Sequence, residues 1–195
     1  MDPTPVDPVA LKLAVADTGA NVAYLARPCQ YVRSEGLGPC EEKYWTDGRF
    51  SEEVIQSVSQ ALDQLKALYG LDRLELVGYS GGAAVALLVA ERRSDIDSIR
   101  TVAGALDTDA VNKFHGLGPI KDSLNPTGQA AKLAGIPERH FVGGKDKVVP
   151  AFIADGFVRL LGPGACAEIV KVPDTSHSKG WVEKWKELLL LPVSC

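Results

Sequence analysis

Leu74-Glu-Leu-Val-Gly-Tyr-Ser-Gly-Gly-Ala-Ala-Val-Ala-Leu-Leu-Val-Ala90 joins a short strand-like run to a helix that is apolar nearly all round, through the turn Gly78-Tyr79-Ser80-Gly81-Gly82. A helix without a polar face is buried on most sides. The turn has the form G-x-S-x-G, and its place between strand and helix gives it chemical meaning: a sharp turn lifts the Ser80 hydroxyl above the sheet edge. The N–H of Gly81 follows at the helix N-terminus, where it can meet a developing oxyanion. Glycine is expected at both 78 and 82 because a Cβ at either would clash with the neighbouring strand or helix. Neither G-x-G-x-x-G nor G-K-[ST] is present, which sets aside dinucleotide and P-loop readings.

Working outward, strands alternate with helices. Asn21 to Ala26 reads as a strand ending at Arg27-Pro28. Ser51 is placed to cap a helix whose first turn carries Glu52 and Glu53, and Val54, Ile55, Val58, Ala61, Leu62, Leu65 and Leu68 follow at helical spacing until Gly70. Further strands are expected at Ile99–Ala103, His140–Gly143 and Ala167–Val172, with helices at Pro150–Leu161 and Trp181–Leu191. Residues 8 to 19 read as a helix. Residues 107 to 137 read as a loop excursion with one short helix near Gln129 to Ala134. The fold class is α/β: about five mainly parallel strands with helices on both faces, in one domain spanning residues 1–195.

Two further loops lie at strand ends. Gly143-Gly-Lys-Asp146-Lys-Val-Val-Pro150 places Asp146 on the same rim as Ser80, and Pro173-Asp-Thr-Ser-His177 follows the last strand. Of three histidines, His140 opens a strand and His115 lies in the excursion, so His177 is the candidate base. The chain order is Ser…Asp…His. A serine hydroxyl is a weak nucleophile until a base takes its proton; imidazole titrates near neutrality and suits that work, with the carboxylate fixing its tautomer.

Composition narrows the partners. The formal net charge is −4 over 195 residues, and no Lys/Arg cluster is long enough to track a phosphate backbone, so nucleic acid is not expected. The longest apolar run, Ala83 to Ala90, is too short for a membrane span, and Met1-Asp-Pro-Thr-Pro5 does not read as a signal peptide. Cys29, Cys40, Cys166 and Cys195 contain no C-x-x-C pair, so no metal site is expected. Cys29 with Cys40 could staple a Gly-rich loop, and Cys166 with Cys195 could tie down the C-terminus; four reduced, buried thiols are the alternative. Disulfides would imply an exported parent protein.

The Ser80 turn, the Asp146 turn and the His177 loop together resemble the α/β-hydrolase superfamily over roughly residues 20 to 190. Arg27-Pro-Cys-Gln-Tyr31, Tyr44-Trp45 and Arg49-Phe-Ser51 are similar to stretches in bacterial α/β hydrolases that are often exported or lipid-anchored. The resemblance implies a serine esterase of small or medium acyl esters, needing neither metal nor organic cofactor, with Ser80, Asp146 and His177 as its triad. Thioesterase, peptidase or acyltransferase chemistry on the same triad, and a non-catalytic binding protein that kept the fold, are the alternatives.

The sequence departs from that family at its beginning, where several strands and an H-G-G-G-type motif are missing; the chain therefore reads as N-terminally truncated. The strand at Val22 to Ala26 is then expected to pair beside Leu74 to Val77, bringing Cys29 or Gln30 to Ser80 as the second oxyanion donor. Tyr31, Trp45 and Tyr79 are expected to line the substrate pocket. The missing strands would leave an open sheet edge, and with it a homodimer.

Overall fold

The computed structural model describes residues 3–32 and 40–195. Ser51 caps helix α2 (Glu52–Tyr69), its hydroxyl accepting from the Val54 N–H at 3.4 Å, and Gly70 ends it in the left-handed conformation at φ 64°. The chain then enters strand β1 (Leu74–Tyr79), helix α3 (Gly81–Ala90) and strand β2 (Ile96–Val102). Strands β3 (Glu138–Gly143) and β4 (Ala167–Val172) complete the sheet, separated by helix α5 (Phe152–Leu161).

The described residues form one all-parallel sheet in the order β1-β2-β3-β4, with Val77 opposite Arg100 and Phe141 opposite Val170. Strand order equal to chain order has a consequence. Right-handed crossovers that always step the same way put every connecting helix on one face. That face carries α3, α5 and the excursion between β2 and β3, packed as Ala83, Leu87, Ile99, Leu133, Ile153 and Phe157. Helix α2 packs outside α3 through Ile55, Leu62, Ala84 and Leu88. The opposite face must be covered by elements outside the crossovers, and it is: helix α1 (Val9–Ala16) and helix α6 (Trp181–Leu189) bring Val9, Leu13, Trp181 and Trp185 onto Val102, Phe141 and Val172. No helix among the described residues is long and apolar enough to cross a membrane.

Several expectations are corrected. Residues 21–26 form no strand: no ladder joins them to β1, and Val22 and Leu25 are exposed. The sheet therefore has four strands among the described residues instead of about five, and the outer edge of β1 is unpaired there. The excursion holds a second helix, α4 (Thr108–Phe114), capped by Asp107, besides a 3₁₀ helix at Pro126–Leu133. Leu68 and Phe152 are exposed, and the Phe152 ring meets that of Phe114 edge-on at 5.8 Å. Disulfides join Cys29 to Cys40 and Cys166 to Cys195.

Candidate active site

The turn between β1 and α3 holds Ser80 at φ 51°, ψ −120°, a conformation that costs a non-glycine residue roughly 1–3 kcal/mol. Hydrogen bonds hold it there. The Ser80 N–H donates to the Val102 carbonyl at 2.9 Å, and the Ser80 carbonyl accepts from the N–H groups of Ala83 (3.0 Å) and Ala105 (3.1 Å). The two motif glycines differ. A Cβ on Gly78 would stand 2.5 Å from the Ala83 Cα, whereas one on Gly82 would meet nothing within 4 Å. Steric need for glycine thus holds at 78 and not at 82.

The other two loops are laced together. The Gly144 N–H donates to the Val172 carbonyl and the Lys145 N–H to the Thr175 carbonyl, each at 2.9 Å, and Lys145 pairs with Asp174 at 2.6 Å. A Cβ on Gly143 would sit 2.9 Å from the Thr175 carbonyl oxygen, so the approach of the two loops depends on that glycine. The lacing brings Asp146 under the His177 ring. Asp146 Oδ2 lies 2.9 Å from His177 Nδ1, while Oδ1 accepts the N–H groups of Val148 (2.8 Å) and Val149 (2.9 Å). On the other side of the ring, His177 Nε2 lies 2.9 Å from Ser80 Oγ.

The Asp146 side chain has no exposed surface and the imidazole retains 19 %. Burial by itself would raise the Asp146 pKa. The hydrogen bonds from His177, Val149 and Val148 outweigh it and hold the carboxyl below the ordinary carboxylate range. Asp146 is thus ionised at neutral pH, an anion facing an imidazole N–H.

Two donors not foreseen as a pair converge on the His177 carbonyl: the Tyr79 hydroxyl at 3.1 Å and the Trp181 indole N–H at 2.9 Å. Burial pushes the Tyr79 hydroxyl up to about 12, with the Asp146 and Asp7 charges adding to it, so Tyr79 stays a donor. Its ring lies 5.4 Å from the imidazole. Tyr79 thus anchors the histidine loop. The sequence signal for both donors was only that each stands one strand- or helix-step from a rim residue.

The remaining expected site residues are placed otherwise. Gly81 is the first residue of α3, where a backbone N–H has no intrahelical acceptor. Gln30 donates its backbone N–H to the Arg27 carbonyl (3.2 Å) and its side-chain amide to the Pro3 carbonyl (3.2 Å), and no hydrogen bond among the described residues links it to Ser80 or Gly81. Cys29 is buried in its disulfide, and no hydrogen bond among the described residues links it to Ser80 or Gly81. Tyr31 is exposed against Tyr24. Trp45 lines a cavity of about 320 Å³ with Arg49, Asn112, Leu117 and Ile120, whose lining includes none of Ser80, Asp146 and His177.

No family model matches the chain, and no curated protein matches it by sequence. Solved structures do match. A Pyrococcus furiosus esterase is 16% identical with a TM-score of 0.59, the alignment covering 71% of this chain and 60% of the esterase. An α/β serine hydrolase homologue from Coxiella burnetii is 19% identical with a TM-score of 0.57, covering 95% of this chain and 74% of the other. A Pyrococcus horikoshii acylaminoacyl peptidase is 15% identical with a TM-score of 0.62, over 73% of this chain and 27% of the peptidase. The chain has the α/β-hydrolase fold. Within the α/β-hydrolase fold the three loops described above leave the carboxyl ends of β1, β3 and β4, the rim on which such sheets place their ligands.

Proposed function

We propose that this chain is a serine hydrolase that cleaves carboxylic esters of short to medium acyl length through an acyl-enzyme. The observation that carries the reading is the unbroken line from Ser80 Oγ to His177 Nε2 and from His177 Nδ1 to the buried Asp146 carboxylate, 2.9 Å at each step.

The geometry supports the following roles. His177 Nε2 takes the Ser80 proton as Oγ attacks the ester carbonyl, and Asp146 stabilises the imidazolium without itself being protonated. The Gly81 N–H faces the carbonyl oxygen as it gains charge. The imidazolium gives its proton to the departing alcohol, and a water activated by the same nitrogen then releases the acid. Tyr79 and Trp181 keep the ring in register through the His177 backbone.

The similarity to an esterase supports the ester reading, and that to an acylaminoacyl peptidase makes amide cleavage the second reading. Esters are preferred because their leaving group needs less help. A p-nitrophenyl ester series from acetate to long acyl chains, run on wild type and Ser80→Ala, tests the proposal. Labelling of Ser80 by a fluorophosphonate, with hydrolysis lost in Ser80→Ala, is expected. Activity retained in Ser80→Ala would refute it.

A further inference from the structure

His115 stands outside the three loops of the site and has no part in the chemistry described above. Its ring nevertheless reaches one of them: Nε2 lies 2.8 Å from the Val148 carbonyl oxygen. A carbonyl oxygen can only accept, so Nε2 carries a proton and donates. That carbonyl belongs to the peptide unit joining Val148 to Val149, and the N–H of the same unit donates to Asp146 Oδ1 at 2.9 Å. The unit is planar, so holding its C=O end aims its N–H end. A carbonyl that accepts a hydrogen bond also polarises its amide and strengthens the N–H as a donor. The line thus runs from His115 through one peptide to Asp146 Oδ1, and from Oδ2 to His177 and Ser80, with each hydrogen bond at 2.8 or 2.9 Å.

His115 makes this contact from a fixed seat. It caps the C-terminus of α4, its N–H donating to the carbonyls of Val111 (3.2 Å) and Asn112 (3.0 Å). Asn112 is buried, and its side-chain amide donates to the Gly118 carbonyl at 2.9 Å. At the other end of α4, Asp107 Oδ1 accepts the Ala110 N–H (3.0 Å) and the Asn125 amide (2.9 Å). Just ahead of that cap, the Ala105 N–H donates to the Ser80 carbonyl at 3.1 Å. The Phe114 ring packs edge-on against the His115 ring at 5.0 Å and against Phe152 of α5 at 5.8 Å. Helix α4 therefore spans from the turn of the serine to the loop of the aspartate.

We propose that His115 is a positioning residue for the triad: through the Val148–Val149 peptide it holds the Asp146 carboxylate in line with the His177 ring. The inference rests on the hydrolase reading for the reaction it serves. One exposed hydrogen bond acts modestly, so its loss costs far less than the loss of Asp146 itself.

Two variants separate the donor from the ring. His115→Phe keeps an aromatic ring beside Phe114 and removes the donor. His115→Gln carries an amide N–H at the reach of Nε2 and removes the ring. With p-nitrophenyl acetate, kcat is expected to fall about three- to tenfold in His115→Phe while KM stays within about twofold. The acid limb of kcat/KM moves to lower pH in that variant, because a less well held carboxylate stabilises the His177 imidazolium less. His115→Gln recovers most of both effects. An acid limb that does not move in His115→Phe, or a loss that His115→Gln does not recover, overturns the proposal. A second measurement needs no turnover. The low-field proton NMR signal of the His177 Nδ1–H, identified by its absence in His177→Gln, is expected to move upfield or broaden in His115→Phe and to return in His115→Gln. A signal unchanged in His115→Phe overturns the proposal. If the signal responds but no ester is cleaved by wild type, the hydrolase reading fails and the positioning of Asp146 stands. Circular dichroism and melting of each variant exclude misfolding.

Discussion

Replacing the two motif glycines one at a time by alanine should move stability in opposite directions. At Gly78 the new methyl carbon would lie 2.5 Å from the Ala83 Cα and 2.7 Å from both the Ala83 nitrogen and the Gly82 carbonyl oxygen, all backbone atoms that no rotamer change can clear. Strand β1 and helix α3 must separate, and the cost sits at the upper end of overpacking, about 3 kcal/mol. At Gly82 nothing lies within 4 Å and φ is not left-handed. The methyl there mainly restricts the unfolded chain and should stabilise by about 0.4–1 kcal/mol. For a chain of this size each kcal/mol is about 2–4 °C in Tm, so Gly78→Ala should melt about 6–12 °C lower and Gly82→Ala up to about 4 °C higher. The assay is thermal unfolding followed by circular dichroism, with both disulfides intact. Should Gly82→Ala lose as much as Gly78→Ala, the steric account of the turn is wrong.

Other outcomes follow from the same geometry. Asp146→Asn should keep the fold but lower ester kcat by roughly 10³–10⁴, read from initial rates against a matched Ser80→Ala blank. Because the Asp146 carboxyl titrates below its unfolded value, its contribution is complete above the ordinary carboxylate range and fades as pH falls through the folded value. Urea midpoints of wild type should therefore drop more steeply below about pH 4 than those of Asp146→Asn. Glu91 behaves oppositely: burial, with a lesser push from Glu138 and against Arg92 and Lys132, raises it to about 7. Its ionisation thus destabilises as pH rises from the unfolded value through 7, and Glu91→Gln should gain roughly 1–3 kcal/mol at pH 8 and little at pH 4. Tyr79→Phe should cost about 0.5–1.5 kcal/mol and lower kcat with KM unchanged, since the lost hydrogen bond holds the His177 loop.

What could be read in the sequence was whatever local chemistry decides. Ser51 and Gly70 bound α2, and the Val77–Gly81 turn could only be a strand entering a buried helix. Ser80, Asp146 and His177 could be placed on one rim because each follows a strand whose direction the alternation sets. Residues 21–26 show the limit. Their composition suits a strand, but a strand exists by its ladder, and no partner stands beside them among the described residues. Gln30 shows the same limit: its amide finds Pro3, 27 residues away, a contact that no spacing announces. Tyr79 reads as a pocket residue and Trp181 as an apolar helix position, and only the folded chain shows their polar atoms meeting at one carbonyl.

The way the three loops are fastened has a bearing on motion. Asp146 and His177 ride on loops stitched to each other, while Ser80 is stitched to the end of β2. Between the Ser80 turn itself and those two loops, the hydrogen bonds among the described residues are the Ser80–His177 contact and that of the Tyr79 hydroxyl to the His177 carbonyl. On the proposed mechanism the seam lies between nucleophile and base, so the imidazole would be able to tilt off a newly acylated serine to admit water while keeping its carboxylate.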